Sequence, residues 1–154
     1  MNISQTKNHH RIAKLNKSVH NLHVHLYPDF FKPYNYKVMS EFFHQAMANP
    51  NSIFLLIEVE AKPIGYAWIE LIEYHEDLFR YGYSSLFIHQ LSIEESSKNK
   101  GYGTCLINEI ISIGEQNDVK RIELDFWAEN LGAEQFYLKH GFKKIRQMSY
   151  KDLN

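Results

Sequence analysis

A chain of 154 residues with a formal net charge of -1, 44% hydrophobic and 23% charged residues has the balance expected of one globular domain, residues 1–154. It is long enough to bury roughly 70% of its unfolded surface, and its near-zero charge argues against nucleic acid as a main partner. A single cysteine, Cys105, excludes a disulfide framework and a cysteine-based metal site and fits a reducing cytoplasm. Met1 to Lys17 is polar, without the apolar core of a signal peptide, and no run reaches the ~20 apolar residues of a membrane span, so no membrane partner is expected.

In chain order, Asn2 to Gln5 reads as a short first strand. From Lys7 to about Leu26 the apolar positions Ile12, Leu15, Val19, Leu22 and Leu26 recur at three- and four-residue steps, the signature of one helix face. His9, His10, His20, His23 and His25 crowd this segment. Adjacent His9 and His10 do not share a helix face, and His20 and His23 have no third ligand at helical spacing, so these read as solvated or rim histidines and no metal is expected. Pro28 to Pro33 breaks the helix; its Phe30 and Phe31 either border a site or plug the core. A second helix is expected over Tyr36 to Met47, stopped by Asn49-Pro50-Asn51.

Ser52 to Glu60 and Ile64 to about Tyr74 read as two strands joined by a turn in an antiparallel hairpin. A polar, aromatic loop from His75 to Gly82 leads to a strand over Ser84 to Ile93. The next helix is expected to bury Leu106, Ile107, Ile110 and Ile111, with Cys105 a small packed residue rather than a nucleophile. Lys120 to Phe126 is a further strand. Asn130 caps another helix, Gly141 stops it, and Lys139 and His140 suit its negative end. Phe142 to Tyr150 is expected to be the last strand.

The turn Lys98-Asn99-Lys100-Gly101-Tyr102-Gly103-Thr104 sits between a strand and a helix. Gly101 and Gly103 allow positive φ and close approach of an anion to backbone N–H groups. The first N–H groups of the following helix lack intrahelical partners, and the dipole adds about half a positive charge beside Lys98 and Lys100. Such a device holds a phosphate at a helix N-terminus, although an ordinary solvated turn has the same composition. No Gly-x-x-x-x-Gly-Lys-Ser/Thr occurs and Gly101-Tyr102-Gly103 lacks the third glycine of a dinucleotide fingerprint, so a nucleotide-triphosphate enzyme is excluded.

Lys98-x-x-Gly101-x-Gly103 resembles the acyl-CoA pyrophosphate loop of the GNAT N-acetyltransferase superfamily, usually written Gln/Arg-x-x-Gly-x-Gly/Ala. Asn130-x-x-Ala133-x-x-Phe136-Tyr137, followed by Gly141-Phe142, is similar to that superfamily's second signature. Lys98 departs from the pattern, keeping the positive charge while losing a planar fork. The resemblance implies an α/β (α+β) fold with a central, mixed, mostly antiparallel twisted sheet of six to seven strands flanked by about four helices. It also implies acetyl-CoA as the acetyl-donor co-substrate and a primary amine, in a small molecule or a peptide, as acceptor. A homodimer paired through the last strand is an arrangement it allows.

The same resemblance distributes the chemistry. The backbone around Leu91, Ser92 and Ile93 would pair with the pantetheine arm and polarise the thioester carbonyl. Lys98, Asn99, Lys100, Gly101, Tyr102, Gly103 and Thr104 would hold the pyrophosphate. Asn130 would bond the pantetheine or only cap its helix. Tyr137 would protonate the leaving thiolate, or pack with Phe136 and Ala133 on the sheet. His89, two residues before Leu91 and by strand alternation on its face, would take the amine proton, its ordinary pKa being near 6.5; Glu70, Glu73 and Asp125 are rivals. Two functions follow: an acetyl-CoA-dependent N-acetyltransferase working by direct transfer, or a non-catalytic CoA-binding module that would have no use for His89 or Tyr137.

Overall fold

The computed structural model describes residues 1–153. A strand β1 (Asn2–Gln5) leads into α1 (His9–Leu26) and α2 (Tyr36–Ala46), followed by β2 (Ser52–Val59), β3 (Lys62–Tyr74) and β4 (Tyr83–Ile93). A single 3-10 turn, Glu95–Ser97, precedes α3 (Tyr102–Gln116), β5 (Arg121–Leu124) and α4 (Leu131–Lys139). The five strands form one sheet in the order β1-β2-β3-β4-β5, antiparallel except for the parallel β4–β5 pair. The mixed sheet and four helices agree with expectation.

The strand number does not: the expected strand from Phe142 to Tyr150 is not formed. Gly141, at φ 82°, stops α4, and the chain beyond carries Lys143, Lys144, Arg146 and Lys151. Its apolar residues point to solvent, with Ile145 80% and Met148 98% exposed. An extended segment without a ladder partner gains neither hydrogen bonds nor burial to offset its ordering entropy.

Strand alternation puts a different helix pair on each face. Phe54, Leu56 and Tyr66 pack with Ile12, Ala13, Leu15, Phe43 and Met47 beneath α1 and α2. Leu55, Ile57, Ala67, Ile69, Leu86 and Ile88 pack on the other face with α3 and Tyr137 of α4. The buried side of α3 is Leu106, Ile107, Ile110, Ile113 and Gly114, so Ile111, expected inside, is replaced by Ile113, one turn on from Ile110. The β2–β3 turn is the pair Glu60-Ala61, both with positive φ (51° and 61°), the backbone of a two-residue hairpin turn that favours glycine. Ala61→Gly is therefore expected to stabilise the fold by about 1 kcal/mol, raising Tm by about 2–4 °C in a scanning-calorimetry comparison.

Candidate active site

Pairing between β4 and β5 stops at Ile88↔Leu124, although β4 continues to Ile93. From there the two parallel strands part. Residues 90–93 stay paired with β3 and expose the other backbone edge, an open ladder of the kind an extended chain can join. Leu91, Ser92 and Ile93 lie on that edge.

The strand parts at a bulge. Trp68 pairs with Gln90 and the next residue, Ile69, with Ile88, so His89 has no opposite number. This overturns the expectation that His89 shares a face with Leu91. Leu91 packs against the core on the α3 side, whereas His89 turns to the α1–α2 face. There its ring stacks on Trp68, with centroids 4.3 Å apart and planes at 23°. The extra residue puts two consecutive side chains, His89 and Gln90, on one face. Gln90 Oε1 accepts a 2.6 Å bond from the Tyr66 hydroxyl, which also accepts from Asn16 Nδ2 of α1. Burial pushes the Tyr66 pKa well above its usual value, so the phenol stays a donor.

His89 Nε2 lies 2.6 Å from Glu70 Oε2, and Asn49 Nδ2 donates to Glu70 Oε1 at 3.0 Å. Trp68 is itself held by its Nε1–H to Ser52 Oγ at 3.2 Å and by stacking on Phe54. Of the rival carboxylates, Glu70 is thus His89's partner. Glu73 pairs with Ser84, five positions away along β4. Asp125 follows the last β4–β5 pair, and since Leu124 and Phe126 pack toward the α3–α4 core, alternation directs Asp125 to the His89 face.

On the opposite face Tyr137 is 8% exposed, stacked on Phe126 and edge-on to Phe136 and Phe142. Burial raises its pKa to about 12, which keeps the phenol protonated throughout the neutral range. Leu124, Phe126 and Phe142 line a cavity of about 50 Å³ beside its ring. His89 and Tyr137 thus belong to opposite faces of the sheet, one on each side of the place where it splits.

The turn before α3 has the anticipated left-handed backbone at Gly101 but not at Gly103. Asn99 (φ 60°) and Gly101 (φ 84°) are left-handed, and Gly101 is the N-cap. The first turn-closing bond runs from Cys105 N to Gly101 O, which leaves the N–H groups of Tyr102, Gly103 and Thr104 free to hold an anion. The two glycines serve different ends. A Cβ at Gly101 would touch nothing within 4 Å, so that residue is needed for its φ; a Cβ at Gly103 would meet the Phe136 ring at 3.1 Å. Gly103 therefore lets α4 approach α3 and joins the two motifs in space. Lys98 pairs with Glu95 at 2.5 Å and Lys100 donates to Ser96 O at 2.9 Å. The Thr104 hydroxyl lies 3.2 Å from His140 Nε2. Asn130 Oδ1 accepts from Ala133 N at 3.1 Å and caps α4, which assigns the cap to the oxygen and leaves the amide nitrogen as a donor.

Phe30 and Phe31 belong to neither buried core. With Tyr27 and Trp127 they form an aromatic cluster beyond the end of β5, where Phe31 meets Trp127 edge-on at 4.9 Å and Phe30 reaches Tyr150. The Tyr27 hydroxyl accepts from Glu129 N. Since Asn16 contacts Gln90 of β4, α1 bridges the parted strands on this face. His20 and His23 both pack on Phe31. Burial first, then the neighbouring His20, lowers the His23 pKa from 6.5. Below about pH 6.5 the unfolded chain binds a proton there that the folded chain does not, so stability falls as pH falls toward the lowered folded value. His23→Gln should flatten the loss of unfolding free energy between about pH 7 and 5 in urea titrations; an unaltered slope would assign that acid sensitivity elsewhere.

Sequence reading missed Trp68, Asn49 and Gln90 and took Glu70 for a competing base or an attractor of a cationic acceptor, not for the partner of His89. Trp68-x-Glu70 alternates correctly for one strand face, but the 75–82 connection is too long to fix the register against His89.

The model of the acetyltransferase (GNAT) family covers residues 17–142, and the chain belongs to this family. It is 30% identical over 108 residues to the uncharacterized N-acetyltransferase MJ1207 of Methanocaldococcus jannaschii, an alignment that takes in 67% of this chain and 44% of that protein. The chain thus spans less than half of that relative's length. The tetramutant of the BH1408 protein from Bacillus halodurans superposes with a TM-score of 0.94 at 26% identity, over 99% of this chain and 100% of that one. A predicted acetyltransferase with acetyl-CoA from Clostridium acetobutylicum shares the fold, with a TM-score of 0.68 and 19% identity over 99% of this chain and 95% of that one. Among the described residues no helix is long and apolar enough to cross a membrane.

Proposed function

We propose that the protein transfers the acetyl group of acetyl-CoA to a primary amine, with His89 as general base and Tyr137 as general acid. The observation behind this reading is the split between β4 and β5, with a histidine at the bulge on one face and a buried, protonated tyrosine on the other. The residues present fit the co-substrate. Three free N–H groups at the start of α3 suit its pyrophosphate, and the open edge at Leu91, Ser92 and Ile93 suits the amides of its pantetheine arm. Asn130 Nδ2 is a further donor for that arm.

Acetyl-CoA supplies the acetyl group as a thioester: a C–N bond forms to the amine, the C–S bond breaks, and free CoA leaves. His89 takes the proton that the amine nitrogen must lose as it becomes an amide. The Tyr137 hydroxyl gives a proton to the departing sulfur, and solvent restores both side chains. Backbone N–H groups on the freed edge of β4 polarise the carbonyl oxygen. Entry of the two substrates from opposite faces explains why base and acid belong to opposite sides of the sheet. The aromatic cluster at Phe30, Phe31 and Trp127, with Asp125 and Glu70 on the same side, favours a small cationic or amphipathic amine.

The test is release of CoA thiol at saturating acetyl-CoA across polyamines, aminoglycosides, amino acids and short peptides. Turnover above the no-acceptor background is the expected result. A blank panel combined with tight acetyl-CoA binding would favour a non-catalytic CoA-binding module. Tyr137→Phe is expected to lower kcat by about 10–100-fold with acetyl-CoA affinity by calorimetry within about twofold. An unaltered kcat would remove Tyr137 as the acid.

A further inference from the structure

The imidazole of His89 has one nitrogen engaged and one free. Nε2 lies 2.6 Å from Glu70 Oε2, and among the described residues no hydrogen bond reaches Nδ1. The carboxylate is engaged at both oxygens, since Oε1 accepts the Asn49 amide at 3.0 Å. The ring plane is fixed independently by stacking on Trp68 at 4.3 Å and by the Phe87 ring at 5.0 Å. Glu70 and His89 are each about one-quarter exposed at the side chain, so both are shielded without being sealed from solvent.

From this arrangement we infer that Glu70 is a positioning residue that holds His89 in the Nε2–H tautomer, so that Nδ1 is the atom that takes the amine proton. The inference rests on the reading of His89 as base and adds to it the reacting atom, the residue that selects it, and the residue that anchors the selector. An ionised carboxylate only accepts hydrogen bonds, so the proton of the short bond belongs to Nε2. A neutral imidazole has one N–H and one lone pair, and fixing the proton on Nε2 leaves the lone pair on Nδ1. When Nδ1 gains the amine proton the ring becomes a cation with its Nε2–H still directed at Glu70, and the carboxylate offsets the new charge. Nothing is transferred to Glu70. Asn49, in the turn after α2, holds the other carboxylate oxygen, and the face of Trp68 fixes the plane of the ring.

The same geometry favours His89 over Glu70 as base. Each Glu70 oxygen already accepts one bond, from His89 or from Asn49, whereas His89 Nδ1 has no hydrogen-bond partner among the described residues. That difference was invisible while the two were only a histidine and a glutamate on neighbouring strands.

The experiment is long-range 1H–15N NMR on the ligand-free protein labelled at histidine, with the His89 signals assigned by comparison with His89→Gln. The two ring nitrogens of a neutral imidazole differ widely in 15N shift according to which one is protonated, so the tautomer is read without an acceptor. The expected result at about pH 8 is a protonated Nε2 and a bare Nδ1. Glu70→Gln should move the proton to Nδ1, because the new amide NH2 donates to Nε2, and Glu70→Asp should restore the original tautomer in part. A protonated Nδ1 in the unaltered protein, or a tautomer indifferent to Glu70→Gln, would overturn the inference. These outcomes are separate from the fate of the catalytic reading, which is decided by the turnover of His89→Gln. Loss of turnover with an indifferent tautomer would leave the base and remove Glu70 from its support.

Discussion

His89→Gln should lower kcat by about 10²-fold or more, the usual contribution of a positioned general base, while the affinity for acetyl-CoA stays within about twofold. Glutamine is close in reach to histidine and keeps a hydrogen bond to Glu70, so the bulge and the Trp68 contact are the least disturbed by this change. The proposed cofactor seat, the β4 edge and the turn before α3, is contributed by backbone and is not altered. The division between kcat and KM is what identifies the role. An interaction made only as the amine loses its proton lowers kcat and kcat/KM together, whereas an acceptor-binding residue raises KM with kcat kept. Free thiol release at saturating acetyl-CoA, with the acceptor varied, separates the two. A kcat within about twofold of the unaltered protein would return the base to Asp125, across the split on the same face.

Gly101→Val should weaken acetyl-CoA binding by about tenfold or more. The cause is conformational, not steric in the usual sense. At φ 84° a Cβ at this position meets no atom within 4 Å, so the Cβ itself is not crowded and the penalty lies in the left-handed backbone. That penalty is about 1–2 kcal/mol for an ordinary L-residue and more for a β-branched one. A turn that relaxes to negative φ swings the N–H groups of Tyr102, Gly103 and Thr104 away from their common target, and each 1.4 kcal/mol so lost is about a factor of ten in affinity. Gly101→Asn supplies the control, since asparagine tolerates this region and Asn99 already adopts it two residues earlier. Calorimetric titration should give Asn within about threefold of the unaltered protein and Val well below it. Equal affinities for Val and Gly would remove this turn as the phosphate seat.

The parts of the site that were legible beforehand are those whose physics is local. A glycine that must be left-handed, an asparagine that caps a helix and a helix that must start where its first N–H groups are free are all properties of a few consecutive residues. Gly101, Asn130 and the start of α3 are accordingly where they were expected, and most boundaries lie within a residue or two. What misled was alternation at His89. The period-two rule holds only while the ladder is regular, and a single unpaired residue reversed the face. The last strand failed for a related reason: the 142–150 pattern tolerates extension but has no neighbour with which to form a ladder.

Gly103 shows how one residue can be recognised for one reason and required for another. Its place in the turn suggested room for an anion, but its own Cβ position is filled by Phe136. The two sequence motifs are therefore one packed unit. Thr104 and His140 lie 3.2 Å apart at the same junction.

By itself the sequence determined the order of the four helices and the first five strands, the glycine turn before α3, the caps and the two motifs that mark the family, because each depends on backbone conformation and periodicity within a short stretch. Only the tertiary structure decided that β4 leaves β5 at Ile88, that His89 turns away from Leu91, and that Glu70 and Asn49 stand behind it. These depend on register between strands joined by the long 75–82 connection and on helices far apart in the chain. Such register is settled by the packing of the whole core rather than by any local preference.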